Sequence, residues 1–81
     1  MRVLYFAWVR ERVGASSEEI ETEAATVRAL VDELSAREER YAAAFADLSV
    51  LRAAVDQELA ELDTPLSGAQ ELAFFPPMTG G

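Results

Sequence analysis

Cysteine, histidine and lysine are all missing from this 81-residue chain. Without cysteine there is no disulfide framework and no thiol nucleophile; without histidine there is no zinc-ligand cluster and no side chain that ordinarily titrates near neutrality. With lysine absent, arginine supplies all seven basic residues, and the amine at Met1 is the only one that a reactive acyl group in the chain could meet. Positive charge is itself scarce: seven basic side chains face 15 acidic ones, a net charge of −8. That balance argues against nucleic acid and anionic membranes as partners. It suits a protein partner with a basic surface, and it equally suits solubility alone. Long apolar runs are lacking too. The stretch from Val3 to Val9 is broken at once by Arg10, Glu11 and Arg12, too short to span a bilayer and poorly shaped for a signal peptide, so a cytoplasmic location is expected.

What is present suits one small globular domain. The composition is 51% hydrophobic and 27% charged, too apolar for a disordered acidic tail. A chain of this length buries roughly 60–65% of its unfolded surface, enough for a single core. Val3 to Val9 is β-favouring and apolar on both faces, which predicts an interior strand. Gly14 to Ser17 supplies a turn, and Glu18 to Glu23 predicts an outer strand guarded by its carboxylates. Thr26 is a candidate N-cap. After it Val27, Leu30, Val31 and Leu34 fall at i, i+3, i+4 and i+7, one apolar stripe of a helix. Tyr41, Ala44, Phe45 and Leu48 repeat that spacing, but Glu38 interrupts the stripe, so a break is expected near residues 37–40 with a short second helical piece beyond it. Val50 to Val55 reads as a strand, Asp56 to Glu58 as a turn and Leu59 to Leu62 as a short returning strand. A loop punctuated by Asp63-Thr64-Pro65 and Ser67-Gly68 leads to a last interior strand, Gln70 to Phe75.

The first and last strands are both apolar on both faces, so burial is greatest when they lie side by side at the centre of the sheet with the helix across one face. The expectation is an α+β fold of the β-grasp, ubiquitin-like kind, a mixed five-stranded sheet with a helix packed on one face. A ferredoxin-like α+β arrangement competes on pattern alone. Residues 1–75 form the domain, and residues 76–81 form a tail.

The tail reads Pro76-Pro77-Met78-Thr79-Gly80-Gly81 and holds two of the three prolines and two of the four glycines. Proline fixes φ and lacks an N–H, so the pair stops the strand from pairing beyond Phe75 and keeps the tail extended. Glycine has no Cβ, so Gly80 and Gly81 can enter a slot too narrow for other residues. Six residues past Phe75, at about 3.3 Å each, give a reach of roughly 20 Å. Such a tail serves either as a chemical handle for another protein's active site or as a plain chain end.

Beyond pattern, the chain resembles the small subunits of molybdopterin synthase, the ubiquitin-like sulfur carriers of molybdenum cofactor biosynthesis. The likeness rests on Val3-Leu4-Tyr5-Phe6-Ala7 running into Val9-Arg10-Glu11, on Leu51-Arg52-Ala53-Ala54-Val55, on Asp63-Thr64-Pro65-Leu66, and above all on Ala73-Phe74-Phe75-Pro76-Pro77-Met78-Thr79-Gly80-Gly81. Asp56 stands where asparagine is common in that family, and Met78 where valine is common.

The resemblance implies a non-catalytic, sulfur-donating subunit. A ubiquitin-activating-like enzyme uses ATP to adenylate Gly81, sulfur displaces AMP, and the terminus becomes a thiocarboxylate. The tail, Pro76 to Gly81, then enters the large subunit, where the sulfur attacks a cyclic pyranopterin phosphate. Activation is chemically necessary, because a terminal carboxylate with a pKa of about 3.5 is ionised and a poor electrophile. Further implications are a partner-binding patch of Phe6, Leu59 and Phe75, a heterotetramer of two small and two large subunits, and no metal or bound cofactor in the carrier. The same tail and fold suit a ubiquitin-like protein modifier joined to target lysines, a sulfur carrier for thiamine or cysteine synthesis, or a plain interaction domain.

Overall fold

The computed structural model describes residues 1–77. Met78, Thr79, Gly80 and Gly81, the part of the tail expected to carry the chemistry, lie outside the described residues. Strand β1 (Arg2–Tyr5) is followed by helix α1 (Ala7–Val13), strand β2 (Ser17–Glu19), helices α2 (Val27–Arg37) and α3 (Glu39–Ala44), a 3-10 turn at Leu48–Val50, and strands β3 (Arg52–Val55), β4 (Glu58–Ala60) and β5 (Glu71–Phe75). The sheet order is β2-β1-β5-β3-β4, with β1 and β5 parallel and the other neighbours antiparallel. The first and last strands therefore do lie together at the centre, and the helices cover one face. This is the β-grasp arrangement. Its element order departs from the β-α-β-β-α-β succession of the competing ferredoxin-like fold.

The expected first strand is too long by half. It ends at Tyr5: Phe6 is still extended, but Ala7 turns to φ 52° and takes the chain off the sheet into a helix. From Ala7 the chain is helical despite its β-favouring Trp8, Val9 and Val13. Val9 and Val13 sit one turn apart on the same face and are both fully buried, a gain that outweighs local propensity. Trp8 instead packs beneath the Arg12 guanidinium, 5.2 Å from the ring centre. Gly14 ends this helix at φ 88°, its N–H donating to the Arg10 carbonyl.

Helix α2 follows the sequence closely. The Thr26 hydroxyl accepts from the Ala29 N–H at 3.1 Å, and Val27, Leu30, Val31 and Leu34 are all buried. Glu38 breaks the helix by adopting an extended backbone, after which α3 buries Tyr41 and Ala44. These side chains meet Val3, Tyr5, Ala53, Leu72 and Phe74 from the sheet in one core. Phe74 is its aromatic centre, stacked 6.3 Å from Tyr5 and tilted 4.9 Å from Phe45. The outer strand is shorter than expected, since pairing stops at Glu19; Ile20 then turns into the core, its N–H donating to the Met1 carbonyl.

One polar cluster ties the periphery together. The Glu18 carboxylate accepts from the Tyr41 hydroxyl at 2.6 Å, the Tyr5 hydroxyl at 3.0 Å and Arg40 Nη2 at 3.0 Å. Arg40 also donates to the Val13 carbonyl and to Glu38, joining β2, α1 and α3. Burial alone would raise the Glu18 pKa, but these three donors hold it below the ordinary glutamate value. Burial, reinforced by the hydrogen bond to Glu18, raises both tyrosines, Tyr41 to about 12.

Candidate functional site

Alternation along the strands sends Val3, Tyr5, Leu72, Phe74 and Ala53 toward the helices, so their neighbours in sequence occupy the opposite, helix-free face. Register then decides which of those neighbours meet. Leu4 pairs with Ala73, Ala73 with Ala54, and Ala54 with Leu59, an apolar row running across four strands. Phe75 pairs with Arg52 in the next row, and Phe6 lies beside it, its N–H donating to the Phe74 carbonyl at 3.0 Å. At the other end of the same face, Arg2 pairs with Glu71 and Glu19, so that end is charged.

Each of the three residues expected to form a partner patch is thus on the helix-free face. Phe6 is 49% exposed and Leu59 79%, and Phe75 is half-buried. Phe6 and Phe75 are neighbours across β1 and β5, while Leu59 lies two strands away on the edge, roughly 10 Å from β5 at the usual strand spacing. Leu4, Ala54 and Ala73 fill the ground between them. Ala73 shares its face with Phe75 by simple alternation along the last strand, whereas Leu4 and Ala54 join it through pairing register. Arg52 borders the patch, with its guanidinium donating along its own chain to the Leu51 carbonyl at 2.9 Å.

Asp56 sets the position of Leu59. Asp56 and Gln57 have φ of 48° and 71°, the left-handed pair of a two-residue hairpin turn between β3 and β4. The Asp56 carboxylate accepts from the Gln70 and Glu71 N–H groups at 3.0 and 2.9 Å, and its own N–H donates to the Glu71 carbonyl. The hairpin is thereby locked to the start of β5. In the sequence, Asp56 is visible only as a turn residue that departs from the family's usual asparagine.

The tail begins at the apolar end of this face. Strand β5 stops at Phe75, and Pro76 and Pro77 continue from it, both half-buried. A partner covering Phe6, Phe75 and Leu59 would therefore meet the chain where the tail departs.

A family model described as ThiS matches residues 3–81. The chain belongs to the ThiS family. It is 46% identical over 81 residues to the molybdopterin synthase sulfur carrier subunit of Escherichia coli, covering 100% of this chain and 99% of that one. The protein of the same name from Haemophilus influenzae is 35% identical over the same coverage. Among solved structures, SAMP1 from Haloferax volcanii superposes with a TM-score of 0.76 at 26% identity, covering 100% of this chain and 98% of that chain. The family read from the tail and strand motifs is thus shown over the whole length of this ThiS-family chain. Among the described residues, no helix is long and apolar enough to cross a membrane.

Proposed function

We propose that this chain is the sulfur carrier subunit of a molybdopterin synthase and works in the cytoplasm. The observation that carries the reading is the junction of an exposed apolar patch with a glycine-ended tail, in a chain 46% identical to a protein of that name. Gly81 is activated on a separate ubiquitin-activating-like enzyme. The carboxylate attacks the α-phosphorus of ATP, pyrophosphate leaves, and the resulting acyl adenylate exchanges AMP for sulfur. No cysteine in the chain competes for that sulfur.

The loaded carrier then seats its helix-free face on the large subunit, and Pro76 to Gly81 carries the thiocarboxylate into a site built by that partner. There the sulfur attacks a cyclic pyranopterin phosphate, water then cleaves the acyl–sulfur bond so that the sulfur stays on the pterin, and Gly81 returns to a carboxylate for reloading. Two loaded carriers supply the two dithiolene sulfurs in turn. The catalytic acid and base belong to the large subunit, and the net charge of −8 steers the carrier toward basic partner surfaces. Deleting Gly81 should abolish molybdenum cofactor synthesis in a complemented cell while leaving the thermal midpoint of the purified chain unchanged. Retained synthesis by the deletion would overturn the carrier role.

A further inference from the structure

Leu59 is exposed by its backbone as well as by its side chain. Val55 and Glu58 flank the two-residue turn at Asp56 and Gln57, and in such a turn the N–H of the last residue donates to the carbonyl of the first. Backbone pairing alternates along an antiparallel ladder. Glu58 and Ala60 therefore direct their backbone groups toward β3, and Leu59 directs its N–H and C=O off the sheet. Among the described residues, β4 is the last strand on that side. Beside it, toward the helices, lies a cleft of about 640 Å³ with an apolar floor that includes Leu51, Leu62 and Phe74, and with Arg28, Arg52, Glu61 and Asp63 as its charged residues.

We propose that β4 accepts an extended segment of the large subunit as a sixth strand. Its backbone pairs with the outward N–H and C=O of Leu59, and one of its apolar side chains enters the cleft. This rests on the reading of the chain as a molybdopterin synthase subunit. Continuity supports it, because the Leu59 side chain belongs to the apolar helix-free face while its backbone forms the edge; one partner strand there would join both surfaces. Charge selects the occupant. Glu58 and Glu61 are exposed along the edge and Asp63 lies just beyond it, three carboxylates against the two arginines of the cleft, Arg28 and Arg52, so the added strand presents an apolar residue flanked by arginine or lysine. A second copy is a poor occupant, since pairing two β4 edges would bring Glu58 and Glu61 of both copies together on molecules that each carry −8.

Amide hydrogen exchange, read by NMR on the chain alone and in complex with the large subunit, tests this. In the isolated chain, Leu59 should exchange quickly while Glu58 and Ala60 are slowed by their bonds to β3. In the complex, Leu59 should slow by about tenfold or more. Leu59→Pro removes the outward N–H without touching the β3 ladder, whereas Leu59→Ala keeps it. The proline variant should bind about five- to tenfold more weakly than the alanine variant, with unchanged protection at Leu72 as the folding control.

An unchanged Leu59 amide in a complex that Phe75→Ala weakens overturns the added strand and leaves the carrier reading standing. Absence of any complex with the large subunit overturns both. Protection of Leu59 already in the isolated chain also overturns the proposal, pointing to a second copy if it depends on concentration and to the chain's own tail if it does not.

Discussion

Two adjacent phenylalanines should respond oppositely to truncation. Phe74 is fully buried between Tyr5 and Phe45, so Phe74→Ala removes a core ring at a cost of about 3–5 kcal/mol. A domain of 81 residues has a total stability of about 4–12 kcal/mol, so this one change consumes much of it. Phe75 points to the other face and is half-buried. Full burial of a phenylalanine stabilises by about 1.5–3 kcal/mol, and Phe75 is only partly buried, so Phe75→Ala should cost less than that, about 1–2.5 kcal/mol. At about 4–8 °C per kcal/mol for a domain this small, the thermal midpoint should fall by roughly 4–20 °C. Binding should move much further. An aromatic anchor at an interface contributes about 2 kcal/mol or more, so Kd for the large subunit should rise about 30-fold. Thermal melts followed by circular dichroism and titration calorimetry at a temperature where the variant is folded give both numbers. A stability loss of about 3–5 kcal/mol in Phe75→Ala with unchanged Kd would refute the assignment of Phe75 to the docking face.

Acid stability should depend on Glu18. Its pKa is lowered in the folded chain, so its contribution is present above the unfolded value and is lost as pH falls through the folded one, below about 4.5. Glu18→Gln should cost about 1–3 kcal/mol at neutral pH and flatten the fall of stability in that acid window, as read by denaturant titrations at several pH values. Gln57 holds φ 71°, a conformation that costs a side chain about 1 kcal/mol, so Gln57→Gly should raise the thermal midpoint by a few degrees and leave partner affinity unchanged.

Much of this architecture is legible in the sequence because local and global preferences agree there. Val27 to Leu34 forms a helix by its stripe and its Thr26 cap, and the break at Glu38 follows from a charge lying on that stripe. The central pairing of β1 with β5 follows from two segments apolar on both faces. Helix α1 was hidden for the opposite reason: Trp8, Val9 and Val13 favour strands, and only the buried positions of Val9 and Val13 and the left-handed Gly14 reveal a helix. The spacing of Val9 and Val13 just before a glycine was the available signal.

The candidate site divides similarly. The tail is legible as a handle in its prolines and glycines, whereas Phe6, Leu59 and Phe75 come through family resemblance, and the sheet places these three on one face. Ala73 shares the face of Phe75 by alternation within one strand, while Leu4 and Ala54 join them through strand register, which no single segment encodes. Glu18 read as one guard carboxylate among several. Its partners Arg40 and Tyr41 lie 22 and 23 positions away, beyond any local pattern.

If Gly81 carries the sulfur, intact-mass spectrometry of the chain after incubation with an activating enzyme, ATP and a sulfur donor will register it. One terminal oxygen should be exchanged for sulfur, and the exchange should be reversed when the large subunit and its pterin substrate are added. An unmodified carboxylate beside an active enzyme, or accumulation of conjugates to lysines of other proteins, would contradict it.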